Sequence, residues 1–329
     1  MELLTPKKIK KYPKLSEELD YQDYAELHCI TNFSFLRGAS FPEEIVERAN
    51  QLGYRAIAIT DECSVSGIVR AHIAAKNFSI KLIIGSEFIL NDGCHLVLLA
   101  ENKRGYSQIC NVITHARRQA KKGSYSIDKL TIKQFTLADC VVLWIPDVRK
   151  KYKALAEEAS WLKTNFSKKL WIAAELLLRG DDRYKLRVLE KLGEKLQIPL
   201  CAAGGVYMHD CERRVLQDTV TAIRLTRKIN ELGFDIESNG QRFLRPRNTL
   251  RKLFPKKLME STIQIAQKCS FSLDELTYEY PKELVPSGYT AYEWLSELTR
   301  IGIEQRWPEG ISEKAHEIIE HELRLIKSL

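Results

Sequence analysis

The sequence predicts an α/β protein in which strands and helices alternate around a closed, barrel-like sheet. Short apolar runs such as Ala56-Ile57-Ala58-Ile59 and Cys140-Val141-Val142-Leu143 alternate with charged amphipathic segments about seven times, the pattern of strands with covering helices. The runs are unbroken in polarity, which suits strands covered on both faces, as in a parallel sheet. Histidine and carboxylates also fall at the ends of several runs, where parallel α/β folds gather ligands.

Residues 1–22 carry Lys7, Lys8, Lys10, Lys11 and Lys14 among prolines and read as a solvated basic arm. Ala25–Ile30 is the first strand and contains His28. Ser40-Phe41-Pro42-Glu43 has capping-box spacing with proline in the first turn; it opens a helix over Pro42–Leu52 that Gly53 closes. Arg55–Thr60 is the second strand and leads into Asp61 and Glu62. A helix over Gly67–Lys76 precedes the third strand, Lys81–Leu90, which carries Glu87 near its end; His95 starts the fourth, His95–Ala100. Tyr106–Arg118 has apolar residues at helical spacing. Cys140–Ile145, Leu170–Leu178 and Pro199–Met208 supply the remaining strands, separated by helices over Lys153–Phe166 and Arg183–Leu196, and Glu212–Leu225 is helical again. Gly240–Arg247 is a loop with strand character and Pro255–Cys269 a helix. Tyr278-Glu279-Tyr280-Pro281 breaks the pattern, after which Ala291–Trp307 and Ser312–Leu329 read as charged helices without strands. A boundary is expected near Pro281.

Bulk properties narrow the class. With 329 residues, 44% hydrophobic and 29% charged, the chain can bury a sizeable core. Its net charge of +8 is compatible with a polyanionic partner without requiring one. Eight cysteines contain no Cys-x-x-Cys pair, which argues against a zinc ribbon or disulfide framework. The start of the chain lacks an apolar signal core and no run approaches membrane-spanning length, so a cytoplasmic protein without membrane contact is expected. No Gly-x-x-x-x-Gly-Lys loop offers a phosphate cradle.

Several motifs carry a resemblance. Leu27-His28-Cys29-Ile30 followed by Phe33-Ser34, then Ile59-Thr60-Asp61, Gly85-Ser86-Glu87-Phe88 and His95–Ala100 resemble, in order, motifs of the polymerase and histidinol phosphatase (PHP) domain. That domain begins bacterial C-family DNA polymerase alpha subunits (DNA polymerase III alpha). Asn32–Ser40, Thr60–Ser64, Arg70–Ala75, Leu216–Arg224 and Phe271–Pro281 look like the signature of the error-prone branch. The resemblance covers nearly all of Tyr24–Leu329. It implies a distorted seven-stranded PHP barrel over 23–280, followed by a helical segment over 281–329 leading toward a polymerase core. In active members the barrel rim holds a trinuclear metal cluster that polarises a phosphoester and supplies hydroxide.

Carried over position by position, the implied ligand set is incomplete. His28 matches the first histidine of a His-x-His motif, with Ile30 at the second. Asp61 matches the aspartate of an Asp-His pair, with Glu62 at the histidine, and Glu87 and His95 match the next two ligands. Nothing suitable stands around Pro146, and the closing Asp-x-His is Gly205-Val206-Tyr207. The residual set implies either no metal or one weakly held divalent ion (zinc, manganese or magnesium), the groups otherwise hydrogen-bonding one another. His72, His115 and His209 read as packing or surface residues.

The function that the resemblance implies is that of a scaffold without catalytic residues of its own: the PHP domain of an error-prone polymerase in DNA replication, repair and damage-tolerant synthesis. Its partners would be a polymerase core in cis or in trans, DNA and mutagenesis accessory proteins. Palm carboxylates and a Gly-Ser-rich triphosphate segment do not appear, so nucleotidyl transfer is not expected of this chain alone. The alternative is a metal-dependent phosphoesterase or 3′-5′ exonuclease. In the scaffold reading, basic clusters over Arg117–Lys122, Arg149–Lys153 and Arg245–Lys257 could face a phosphate backbone; a third reading is a free-standing nucleic-acid-binding adaptor, which salt-dependent DNA binding would support.

Overall fold

Seven strands form one sheet whose order in space is the order in sequence. They are β1 (Ala25–Glu26), β2 (Ala56–Ile59), β3 (Lys81–Ile89), β4 (His95–Ala100), β5 (Cys140–Trp144), β6 (Leu170–Glu175) and β7 (Leu200–Ala203). The computed structural model describes residues 24–277 and 285–328, so the basic arm and the Tyr278–Pro281 break lie outside the described residues. Contacts divide the chain into two compact units, one ending at Leu276 and one beginning at Thr277.

The first unit is α/β, as expected, with one correction. The sheet is not wholly parallel: β4 runs antiparallel to both β3 and β5, whereas all other neighbours are parallel. The reason is local. β3 and β4 are joined through Leu90–Cys94, a connection far too short for a crossover. It closes as a hairpin with Leu90 N–H to Cys94 O at 2.9 Å and Gly93 N–H to Leu90 O at 2.7 Å.

β1 and β7 are also shorter than the apolar runs suggest. The buried Glu26 carboxylate accepts the N–H groups of Leu27 (3.1 Å), His28 (3.0 Å) and Gly204 (2.8 Å), so a side chain takes the bonds that a ladder would make. Beyond it the two ends meet again: Ile30 N–H donates to Val206 O at 2.9 Å and Val206 N–H to His28 O at 3.0 Å. This contact brings the edge strands together and makes the sheet a nearly closed barrel.

Two layers of apolar side chains alternate along the strands. Small inward residues (Ala25, Ala56, Ala58, Ala173, Ala203) with Val97, Leu99 and Leu143 fill the barrel; Ile57, Ile59, Leu96, Leu98, Val142, Trp144 and Ile172 face the helices outside. Those helices are α1 (Pro42–Gln51), α2 (Ile68–Ala75), α3 (Lys103–Arg118), α4 (Lys129–Ile132), α5 (Tyr152–Phe166), α6 (Asp182–Leu196), α7 (Arg214–Leu225), α8 (Arg247–Leu253) and α9 (Lys256–Lys268). The N-cap of α1 is Phe41 rather than Ser40: Phe41 N–H is held by Glu44 Oε2 at 2.9 Å, while the Ser40 hydroxyl meets His209 Nδ1 at 2.8 Å.

α9 closes one end of the barrel. Its Ile265 and Ala266 join the interior layer, Thr262 Oγ1 accepts Ala25 N–H at the start of β1, and Ala266 O accepts the Lys81 ammonium at the start of β3. The opposite end, where the parallel strands finish, stays free of α9. Because β4 is reversed, its first residue, His95, points to that same end.

The second unit contains α10 (Ala291–Arg306) and α11 (Glu313–Ser328). α10 starts at a capping box in which Thr290 N–H donates to Glu293 Oε2 at 2.8 Å and Glu293 N–H to Thr290 Oγ1 at 3.3 Å. Among the described residues no helix is long and apolar enough to cross a membrane.

Candidate functional site

Three of the five candidate residues converge at the open end. His28 follows β1, Glu87 sits near the end of β3 and His95 begins the reversed β4. His28 Nε2 lies 2.7 Å from Glu87 Oε2, and His95 Nε2 lies 3.1 Å from the same oxygen. The other nitrogen of His28, Nδ1, is 2.6 Å from Oε1 of Glu175, at the end of β6. His28, Glu87 and Glu175 are buried.

Such a bridge fixes protonation. Burial by itself would lower the His28 pKa, but hydrogen bonds and charge from Glu175 and Glu87 outweigh it and raise it to about 10. Both ring nitrogens then donate, one to each carboxylate. Burial would likewise raise Glu87, yet Arg37, His28 and His95 hold it well below the usual carboxylate range. Glu175 is held low against burial by His28 and then by Arg242.

The Glu62 carboxylate joins the cluster through Arg37, and its backbone bridges to that of Glu87. Arg37 Nη1 is 2.5 Å from both Glu87 Oε1 and Glu62 Oε2, and Nη2 donates to Tyr207 OH at 3.1 Å. Glu62 Oε1 accepts Tyr125 OH at 2.9 Å. Two non-glycine residues in the left-handed region flank this pair: Leu36 at φ 58° beside Arg37, and Cys63 at φ 44° beside Glu62. Each such residue costs roughly 1–3 kcal/mol, which the surrounding bonds offset.

Asp61 is placed apart from the three. Its carboxylate accepts Thr31 N–H at 2.7 Å, Ser34 Oγ–H at 2.7 Å and Thr31 Oγ1–H at 2.9 Å, tying the loop after β1 to the end of β2. Burial raises its pKa against these bonds.

The positions carried over as Ile30, Gly205 and Tyr207 have other uses. Ile30 is fully buried and its N–H closes the barrel. Gly205, at φ 56°, lies against Arg242: Arg242 Nη1 donates to Gly205 O at 2.9 Å and reaches Glu175 Oε2 at 3.5 Å, while Nε donates to Glu237 Oε1 at 2.7 Å. A Cβ on Gly205 would stand 2.6 Å from that Nη1. The Arg242 guanidinium lies 4.4 Å from the Tyr207 ring centroid, and Arg37 at 5.6 Å. Arg179 completes the set by pairing with Glu237.

Sequence reasoning missed Glu175, Arg37, Arg242 and Glu237. Glu175 had a readable signal, since it ends the apolar run Leu170-Trp171-Ile172-Ala173-Ala174 as Asp61 ends the second strand. The arginines lie in loops whose spacing carries no periodicity.

Chemically the rim is self-neutralised. His28, Arg37, Arg179 and Arg242 face Glu62, Glu87, Glu175 and Glu237 in paired contacts. Among the described residues, His28, Glu87 and His95 form a group whose ligand atoms lie within 4.8 Å of one another, enough donors for one ion. The residues do not fit a multinuclear cluster. The second oxygen of Glu87 is taken by Arg37, position 205 has no side chain, and a guanidinium lies where one would project.

A family model described as PHP domain matches residues 26–186. The error-prone DNA polymerase of Methylococcus capsulatus (strain Bath) is 51% identical over 306 residues, covering 93% of this chain and 29% of that protein. That of Dechloromonas aromatica (strain RCB) is 45% identical over 311 residues, covering 93% and 30%. The chain thus spans under a third of the length of these curated relatives. Among solved structures, an amidohydrolase from Chromobacterium violaceum aligns with TM-score 0.43 at 14% identity, over 56% of this chain and 87% of that one. A lesion-specific endonuclease from Pyrococcus furiosus aligns with TM-score 0.41 at 14% identity, over 57% and 49%. The chain thus carries a PHP domain over residues 26–186, within a stretch that is similar over 93% of this chain to part of error-prone DNA polymerases.

Proposed function

We propose that this chain is the PHP module of an error-prone DNA polymerase and that it acts as a structural scaffold, not as a hydrolase. One observation carries the reading: at the rim, Arg37 and Arg242 supply the positive charge that binds Glu62, Glu87, Glu175 and Glu237 together, so cohesion does not depend on an added cation. Phosphoester hydrolysis of the family's kind needs metal ions that activate water and neutralise both oxygens of the displacement. A rim neutralised by guanidinium groups cannot release a proton from water at neutral pH, because arginine is neither a base nor a Lewis acid there.

The module would serve a polymerase core, present in cis or in trans, during DNA replication, repair and damage-tolerant synthesis in the cytoplasm. DNA and mutagenesis accessory proteins are the expected company of that assembly. Its 51% and 45% identity, over 93% of its own length, to two error-prone DNA polymerases supports this placement.

The group His28, Glu87 and His95 favours a second reading, a metal-dependent phosphoesterase or 3′-5′ exonuclease. Metal content separates the two. After dialysis against manganese and zinc, elemental analysis of the purified chain is expected to find less than one tightly held equivalent. Two or three retained equivalents, together with 3′ exonuclease activity lost in His28→Ala, would overturn the scaffold reading.

A further inference from the structure

The Arg37 guanidinium has the coordinates of a bridging ion. Through one nitrogen it joins Glu87 and Glu62, carboxylates from the ends of adjacent strands, both at 2.5 Å. Its partner oxygen on Glu87, Oε1, belongs to the same carboxylate whose Oε2 meets His28 and His95. An ion held by those three donors would sit roughly 2 Å from Oε2. It would therefore lie within a few ångströms of a fixed positive charge.

The arginine is also tightly placed. Its loop is pinned by Ser34 N–H to Thr31 O at 2.9 Å, Gly38 N–H to Ser34 O at 3.1 Å and Ala39 N–H to Tyr207 O at 2.8 Å. A Cβ on Gly38 would stand 2.0 Å from Thr31 O, so the chain turns there in contact with the start of its own loop. Leu36, immediately before Arg37, has left-handed backbone at φ 58°.

We infer that Arg37 is a built-in antagonist of divalent-cation binding: from the other oxygen of Glu87 it electrostatically masks a latent single-ion site made by His28, Glu87 and His95, which an ion enters by displacing the His28 Nε2 proton, with Glu62 as a further carboxylate. The inference deepens the scaffold reading and rests on it. Replacing the guanidinium with a neutral side chain removes the masking charge and leaves Glu62 and Glu87 facing each other without their cation. At the effective dielectric of a partly buried site, repulsion between a divalent ion and a guanidinium about 5 Å away weakens binding by at least a hundredfold.

The test is a cobalt(II) titration of the full chain, followed by visible absorption, which reports nitrogen and oxygen ligation directly and requires no activity. Wild type is expected to show no saturable band. Arg37→Met is expected to bind one equivalent at least a hundredfold more tightly, with its thermal midpoint raised by the metal. Arg37→Lys should stay metal-free, since the charge remains, and adding His95→Ala to Arg37→Met should abolish the band. If Arg37→Met fails to fold alone, folding restored by cobalt supports masking. If metal does not restore it, the less drastic Arg37→Gln replaces it and must show the same gain. A folded neutral variant that binds no more tightly than wild type overturns the inference and leaves the scaffold reading standing. One equivalent held tightly by wild type overturns the masking itself; two or three overturn the scaffold reading.

Discussion

Replacing Gly205 with alanine should disturb the rim more than its small size suggests, and by a calculable margin. Gly205 has φ 56°, a left-handed conformation that costs an L-residue roughly 1–2 kcal/mol. The added Cβ would also stand 2.6 Å from Arg242 Nη1 and 2.7 Å from the Glu175 carboxylate, so the guanidinium must leave. That forfeits the 2.9 Å bond to Gly205 O and the contact with Glu175, a charge-assisted interaction worth about 1.5–3 kcal/mol. The sum is about 2.5–5 kcal/mol. Gly93 provides the control, since its φ is 80° but nothing lies within 4 Å of its Cβ. Gly93→Ala therefore costs only the backbone part, about 1–2 kcal/mol, and the entropy that alanine removes from the unfolded chain is common to both. Urea denaturation followed by circular dichroism should place Gly205→Ala about 2 kcal/mol below Gly93→Ala, and an Arg242→Met background should erase most of that gap. Equal midpoints for the two alanine variants, or a gap that persists without Arg242, would refute the placement of the guanidinium against the glycine.

Asp61→Ala should lose about 3 kcal/mol or more in urea denaturation, because it orphans the buried Thr31 N–H together with the Thr31 and Ser34 hydroxyls. In the Arg37→Met background the same change should leave cobalt affinity unaltered; lost affinity at full stability would make Asp61 a ligand instead. His28 gives a pH signature. Its pKa is about 10 in the fold against roughly 6.5 unfolded, so its bridging contribution is complete below pH ~6.5 and disappears as pH rises to about 10. The stability difference between wild type and His28→Asn should therefore shrink across that window by up to about 1.4 kcal/mol per pH unit, and a difference that stays flat would contradict the protonated bridge.

The parts of this molecule that were legible in its sequence are those written in periodicity. Unbroken runs such as Ala56–Ile59 located the strands, and apolar spacing at three and four residues located α3, α5 and α6, because burial on both faces or on one stripe leaves a regular mark. The reversal of β4 was present in Asn91-Asp92-Gly93, a turn tripeptide between two apolar runs, yet the surrounding alternation of strand and helix overshadowed it. Truncation of β1 and β7 was not legible, since it depends on one carboxylate, Glu26, reaching groups 178 residues away. At the rim, motif order brought His28, Glu87 and His95 into view. Arg37 and Arg242 escaped because they belong to loops, where position follows from tertiary closure and not from any local repeat. Asp61 ends its strand just as a ligand would, and only the coordinates of Thr31 and Ser34 reveal its other occupation.

At the barrel's seam two backbone hydrogen bonds join the segments that carry His28 and Gly205, beside the bond from Gly204 N–H to the Glu26 carboxylate. Across it run the His28–Glu175 and Arg37–Tyr207 contacts, so the charged rim and the closure of the sheet are one mechanical unit. Holding the barrel shut is therefore a mechanical use for these ionisable groups, separate from any chemistry at the rim.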